Sequence, residues 1–326
     1  MKERITILCA TDDGYAPYCG IMLTSLFENN RDREIRVFVL VDKPLLKKHR
    51  KRFRKLSDRY GSEINFVLMD GSFFRRFPIK GDAYAVKYLS VVTYYRLYAE
   101  RMLPDDVGKV LYLDCDLIVH GPVGELFDMD WDGFALGAVQ DITSGHLDCY
   151  DRLGYDRSRG YFNAGVLLIN LDYWRAHGIE RQCIAFLESY YDRVFYNDQD
   201  VLNAVTNECK ADLPVKYNFQ TLFLMPHIFN TLSEEVKEDI LGTECPRIIH
   251  YIGFTKPWMT EYYAFPYNVE WHEYKSLSPW RHVSDLLPKE KRFRCFIKRY
   301  FLWPRGILLC KPELVSPGQG RPADRN

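Results

Sequence analysis

Val110-Leu111-Tyr112-Leu113-Asp114-Cys115-Asp116-Leu117-Ile118-Val119 places two carboxylates, one residue apart, inside an otherwise apolar run. The run reads as a buried strand that ends in the two acids. Ionised carboxylates in a core are costly unless a cation or a set of strong donors compensates them. A strand alternates faces with period 2, so Asp114 and Asp116 are expected to face one spot. Two converging anionic oxygens at the carboxyl end of a strand suit a hard divalent cation that keeps sites open for substrate phosphates. The plainer reading is a pair of solvated or helix-capping acids. A lone Asp-x-Asp does not choose between the two, so the flanking chain must.

Working outward, Ile5-Thr6-Ile7-Leu8-Cys9-Ala10-Thr11 is a first buried strand, closed by Asp12-Asp13-Gly14-Tyr15. Pro17 stands where a helix begins, and Tyr18, Ile21, Met22, Ser25 and Leu26 recur at helical spacing. Residues 35–41 form a second strand and 64–68 a third. Between them, residues 45–60 form a helix with Leu45, His49, Phe53, Leu56 and Tyr60 on one face. Its lysines and arginines (47, 48, 50, 51, 52, 54 and 55) read as a solvated face rather than a nucleic-acid surface. Alternating β and α units predict a parallel, doubly wound sheet, where ligands bind beyond the carboxyl ends of the strands. Asp12 and Asp13 close one such strand and Asp114 and Asp116 another, so they can share a site.

Ser90 to Leu97 reads as a helix that brings Arg96 to the same edge, to neutralise a phosphate or pair with a carboxylate. Residues 135–139 and 161–170 read as further strands. In the second of these, Asn163-Ala164-Gly165 is a small-residue turn that lets a ligand approach the backbone. Asn197-Asp198-Gln199-Asp200 precedes a helical run, either as a simple cap or as a grip on sugar hydroxyls. His250, after Ile248-Ile249, is followed closely by Gly253 and Lys256, which suits a turn presenting imidazole and ammonium to an anion. An Asp-x-Asp joined by one histidine is a mixed oxygen and nitrogen set that tolerates Mn²⁺ better than Mg²⁺.

Composition bounds these readings. The 326 residues hold 44 basic and 44 acidic side chains, and this balance argues against a polyanionic partner such as nucleic acid. Nine cysteines without a C-x-x-C point to a reducing compartment and free thiols. Met1-Lys2-Glu3-Arg4 leads straight into a strand, without the pattern of a signal peptide. No apolar run approaches the roughly 20 residues of a membrane span.

Together these blocks resemble the family 8 retaining glycosyltransferases, and within them the bacterial lipopolysaccharide galactosyl- and glucosyltransferases. The likeness runs from about residue 5 to about 260. It rests on five ordered segments: Ala10-Thr11-Asp12-Asp13-Gly14-Tyr15-Ala16, the Ser90 to Leu97 helix, Tyr112-Leu113-Asp114-Cys115-Asp116, Phe162-Asn163-Ala164-Gly165-Val166, and His250-Tyr251-Ile252-Gly253 with Lys256-Pro257-Trp258. The resemblance implies an α/β fold of GT-A type, Rossmann-like, with a mixed, mainly parallel sheet. It implies Mn²⁺, with Mg²⁺ as the other option, held by Asp114, Asp116 and His250 beside the Cys115 backbone. Asp12 and the backbone at Ala10 would contact the uridine of a UDP-hexose. Gly253 and Lys256 would hold the diphosphate. Arg96, Asn163, Ala164, Asp198 and Gln199 would line the sugar, with Gln199 and Asp198 nearest the chemistry. Where the family often carries Asn, this chain has Gly14, so one side-chain contact to the nucleotide is missing or replaced.

The reading expects a catalytic domain over 1–265 and an aromatic, basic extension over 266–326. Residues 289–305 carry seven Lys or Arg against one acid, with Phe293, Phe296, Ile297, Tyr300 and Phe301 at helical spacing. That pattern suits docking on an anionic membrane surface, where a lipid-linked oligosaccharide acceptor would be met, and places the protein on the cytoplasmic face of the inner membrane. The stretch from Ser316 reads as disordered. Rival readings are a phosphohydrolase using Asp114 and Asp116, a non-catalytic nucleotide-sugar or glycan-binding module, and a self-glucosylating primer. The first expects its motif near the N-terminus with Thr or Val where this chain has Ile118. The second sits poorly with Asp114, Asp116, His250, Lys256 and Gln199 all present.

Overall fold

The computed structural model describes residues 4–80, 90–146, 148–253, 256–259 and 267–283. In chain order the strands are β1 (Ile5–Ala10), β2 (Ile35–Val41), β3 (Glu63–Leu68), β4 (Lys109–Leu113), β5 (Leu117–Val119), β6 (Leu136–Gln140), β7 (Phe162–Asn170), β8 (Lys210–Asp212), β9 (Phe219–Gln220) and β10 (Ile248–His250). Seven of them make one sheet in the order β3-β2-β1-β4-β7-β6-β8, and β5-β10-β9 make a second, small sheet.

β1, β2, β3 and β4 are mutually parallel, as the alternation of strands and helices predicts. β7 breaks the pattern by pairing antiparallel with both β4 and β6. The sheet is therefore mixed and mainly parallel, not wholly parallel. Reversal at β7 has a use: it brings the first residues of β7 to the edge where its neighbours end.

Two layers cover the large sheet. Helix α1 (Ala16–Asn29) starts with Pro17 in its first turn, where a missing N–H costs nothing, and is buried from Ala16 to Phe27. Helix α2 (Lys47–Tyr60) buries His49, Phe53 and Leu56 and turns Lys47, Lys48, Arg50, Lys51, Arg54 and Lys55 to solvent, as its charge pattern predicts. Gly61 ends it in a left-handed conformation. Two more helices matter below: α3 (Asp198–Thr206) and α4 (Asn268–Leu277). α4 packs on α1, and Trp271 and Trp280 are fully buried in the same core. Of the aromatic stretch after residue 260, these two are core. Tyr262, Tyr263 and Phe265, the basic segment 289–305 and the tail from Ser316 lie outside the described residues.

The Asp-x-Asp is not part of a strand. β4 ends at Leu113, and Asp114, Cys115 and Asp116 carry the chain from the large sheet into the small one. The Asp114 N–H donates to Gly165 O of β7 at 2.8 Å, while Asp116 O accepts from the Tyr251 N–H at 3.0 Å. β5 then runs antiparallel to β10, with Leu117 opposite His250. The two acids converge because the chain changes sheets between them, and not through the period of one strand. Likewise Val91–Tyr98 is a 3₁₀ helix rather than an α-helix.

Candidate functional site

The carboxyl edge of β1 and β4, the opening turn of β7 and the end of β10 meet at one place. Asp114 Oδ1 accepts from Arg96 Nη2 at 2.8 Å and from the Tyr112 hydroxyl at 2.9 Å. Asp116 Oδ1 lies 3.2 Å from His250 Nε2, and its other oxygen accepts from the Lys256 ammonium. Asp114, Asp116 and His250 can each offer one ligand atom within 4.8 Å of the others. Burial raises the Asp116 carboxyl, but Lys256 and His250 outweigh it and hold the group well below the usual carboxylate range. Asp116 is therefore an anion in a setting that already attracts cations. The set fits a divalent cation: two carboxylates and an imidazole converge, and Lys256 supplies the compensating charge. Any side chain at 165 would fill the cradle, because a Cβ there would stand 2.2 Å from His250 Cε1 and 2.8 Å from Asp114 Oδ2. The small-residue turn thus serves the protein's own ligands as well as an incoming one.

Arg96 takes the carboxylate option of the two open to it. It is buried, pairs with Asp114, bonds Asp198 at 2.9 Å and donates to Ala164 O. Burial disfavours its charge, but Asp114 and Asp198 override this and keep the guanidinium firmly protonated. Asp198 also accepts from the Thr93 hydroxyl. Burial pushes its carboxyl up to about 6, against the pull of Arg96. Two carboxylates share one guanidinium here, and the upward direction agrees with that shortage of positive charge. Asp200 points elsewhere: it is fully buried and accepts from Arg152 at 2.6 Å, Tyr161 at 2.8 Å and the N–H groups of Phe195 and Tyr196.

Gln199 Oε1 accepts from the Ala164 N–H at 3.0 Å, which sets the amide beside the opening of β7. Ala10, Asp12, Arg96, Asp114, Cys115 and Asp116 line one cavity of about 120 Å³, together with Tyr15 and Thr93. Asp12 Oδ1 is engaged by the Tyr15 N–H, and a Cβ at Gly14 would sit 3.2 Å from that same oxygen. The Cys115 thiol turns inward and donates to Ala10 O at 3.3 Å, so Cys115 offers a ligand its backbone alone. Gly253 has φ +76°, a conformation that favours glycine, in the turn between His250 and Lys256. A larger cavity of about 480 Å³ lies at the opposite, amino edge of the sheet, between Arg4, Arg36, Lys109 and Asp172. The cation-binding set is not there. Sequence reasoning missed Tyr112 as a partner of Asp114, Thr93 as a partner of Asp198, and Asn218, which meets His250 Nδ1 at 3.0 Å.

The sequence model of Glycosyl transferase family 8 matches residues 6–261. General stress protein A of Bacillus subtilis is 26% identical over 287 residues, covering 87% of this chain and 97% of that protein. The lipopolysaccharide 1,3-galactosyltransferase of Salmonella typhimurium is 28% identical over 296 residues, covering 88% of this chain and 82% of its own length. Among solved structures, the galactosyltransferase LgtC in complex with donor and acceptor sugar analogs superposes with a TM-score of 0.73 at 28% identity, covering 89% of this chain and all of that one. A GT-A-type α/β fold, the Asp-x-Asp with its histidine, and a match across most of the chain converge: this protein is a glycosyltransferase and belongs to glycosyl transferase family 8.

Proposed function

We propose that the protein transfers a hexose, galactose or glucose, from a UDP-sugar to a saccharide acceptor of a lipopolysaccharide or other cell-surface glycan, with retention at the anomeric carbon. The observation that carries the reading is the convergence of Asp114, Asp116 and His250 at the carboxyl edge of the sheet, with Lys256 against Asp116. Asp114, Asp116 and His250 would hold Mn²⁺, or Mg²⁺ in its place. A divalent cation bound there supplies positive charge to the diphosphate that leaves. Lys256 adds a fixed ammonium on the same side, and with Gly253 it would hold that diphosphate. Asp12 and the backbone at Ala10 and Cys115 would seat the nucleoside. Arg96, Asn163, Ala164, Asp198 and Gln199 would surround the sugar.

Retention needs a nucleophile beneath the sugar or attack from the face of the leaving group. The carboxylates near Gln199 are both spent: Asp198 on Arg96 and Thr93, Asp200 on Arg152, Tyr161 and two backbone N–H groups. Gln199 itself is an amide and a poor nucleophile. This favours same-face attack, with a departing phosphate oxygen taking the acceptor's proton. A glycosyl adduct found by mass spectrometry on Asp198 or Asp200 would overturn that mechanism. Residues 289–305 would place the enzyme peripherally on the cytoplasmic face of an anionic membrane, near a lipid-linked acceptor. Among the described residues no helix is long and apolar enough to cross a membrane.

The test is UDP release from UDP-glucose, UDP-galactose and their N-acetyl forms, with and without Mn²⁺ and with candidate acceptors. Release from one donor that needs Mn²⁺ and falls at least about 100-fold in Asp116→Asn is expected. Release that ignores metal and survives Asp116→Asn would refute the site. Donor binding without turnover on any acceptor would instead identify a nucleotide-sugar-binding module.

A further inference from the structure

A histidine can ligate a metal through Nε2 only if its proton sits on Nδ1, and whatever faces Nδ1 decides this. Behind His250 runs a chain of buried polar side chains that sequence spacing does not connect. His250 Nδ1 lies 3.0 Å from Asn218 Oδ1. Asn218 Nδ2 donates to Asn163 Oδ1 at 2.9 Å, and Asn163 Nδ2 donates to Asp141 Oδ2 at 2.8 Å. Asp141, Asn163, Asn218 and His250 are 4%, 6%, 0% and 3% exposed, so bulk water does not substitute for these partners.

An amide can be turned over without changing its shape, so its direction must come from neighbours that cannot. Two such neighbours pin Asn163. The Asp141 carboxylate only accepts, which turns the Asn163 NH₂ towards it. The Gly165 N–H only donates, and it reaches Asn163 Oδ1 at 3.0 Å. With its oxygen so placed, Asn163 faces Asn218 with an acceptor, and the Asn218 NH₂ must point at it. The Asn218 oxygen is then left facing His250 Nδ1. An oxygen there accepts, so Nδ1 carries a proton; Nε2, 3.2 Å from the Asp116 carboxylate, then has only a second proton or a bound cation to place between itself and that anion.

We propose that Asp141, Asn163 and Asn218 form a polarity relay that holds a proton on His250 Nδ1 and so reserves Nε2 for the cation. The three are positioning residues, and Asp141 is the origin of the direction although it touches neither His250 nor the metal-binding set. Asn163 thereby has a structural assignment in addition to any contact with the sugar. The proposal rests on the metal reading of Asp114, Asp116 and His250.

Two variants and two readouts test it in the full-length protein. Asn218→Leu removes the acceptor opposite Nδ1. Asp141→Asn keeps the shape of the side chain: its oxygen can still serve the Thr143 N–H and hydroxyl, bonded at 2.8 and 2.7 Å, but it sets an NH₂ against Asn163 and destroys the direction of the relay. Mn²⁺ affinity is measured by calorimetry. Occupancy of Nδ1 by a proton is read from ¹⁵N–¹H correlations of labelled histidine in the metal-free protein, assigned through His250→Gln. The wild type should show a proton on Nδ1, whether or not Nε2 also holds one towards Asp116. Both variants, with circular dichroism unchanged, should lose that signal and bind Mn²⁺ about 10–100-fold more weakly. A wild-type proton on Nε2 with none on Nδ1, Mn²⁺ affinity unchanged in both variants, or weakened affinity with the Nδ1 proton still in place, would each overturn the relay and leave the metal site standing. Failure of the wild type to bind Mn²⁺ would overturn the site reading, and the relay with it.

Discussion

At the scale of single residues, the site is a matter of which atoms are already spent. Gly165 is the sharpest case. A methyl group there would meet His250 and Asp114 together, both held by several hydrogen bonds, so neither can retreat. Gly165→Ala should cost about 1–3 kcal/mol in urea unfolding and abolish Mn²⁺ binding by calorimetry; retained affinity would show that the cradle is looser than drawn. Asp198 makes a prediction about acidity. Its carboxyl lies near 6 in the folded protein, above the range of a carboxyl in an unfolded chain. Between those values the folded state holds the proton and the unfolded state has lost it. The contribution of this group therefore falls as pH rises from about 4 to about 6 and then levels off, a change on the order of 3 kcal/mol. Asp198→Asn cannot ionise, so its stability relative to wild type should rise by that amount across the window; a flat difference would contradict the burial argument. The ligands themselves were legible in the sequence, since charged residues set in Leu113 to Ile118 and after Ile248-Ile249 need a reason to be there. Asn218 and Asp141 were not: their partners lie 32 and 22 residues away, and an asparagine between Tyr217 and Phe219 announces burial without naming a neighbour.

Elements put these atoms where they are. The alternation of strands and helices was readable through β3, because β1 and β2 are nearly continuous apolar runs and α2 shows an amphipathic period. The reversal of β7 was not, since its run from Ala164 to Ile169 is apolar on both faces and carries no direction. The change of sheets at Asp114–Asp116 was also hidden, because an apolar run on both sides of the acids looks like one strand whether or not it bends. α3 shows how an element is aimed. Asp200 in its first turn gathers Arg152, Tyr161 and the N–H groups of Phe195 and Tyr196. That cluster fixes the start of α3, and with it Asp198 and Gln199 on the other side of the turn. Asp200→Ala would leave Arg152 and Tyr161 without their carboxylate and should destabilise the protein by about 3–5 kcal/mol in denaturant unfolding. Activity should fall with it through misplacement of Gln199. Full activity in a destabilised variant would show that the turn holds by other means.

For the molecule as a whole, charge is balanced overall and uneven locally. Residues 289–305 concentrate cations in a chain of zero formal net charge. Near an anionic surface each lysine or arginine is worth about 1 kcal/mol. Replacing Lys291, Arg292, Arg294, Lys298 and Arg299 by serine should therefore weaken binding to phosphatidylserine vesicles by at least about 100-fold, measured by co-sedimentation. UDP release from soluble donor should be unchanged. Equal sedimentation would assign the segment to some other partner. The same long-range arrangement has a consequence for how the chain is made. Asp116 and His250 are 134 residues apart, and among the described residues β5 has no partner in its sheet until β10 arrives. A ribosome emits the acids first: Asp114 has Arg96 and Tyr112 already made, but for much of synthesis Asp116 waits without its imidazole, its ammonium or a strand beside it. The centre is closed by nearly the last part of the catalytic fold to emerge, and a chain stopped before residue 250 has most of the sheet but no place to hold a cation.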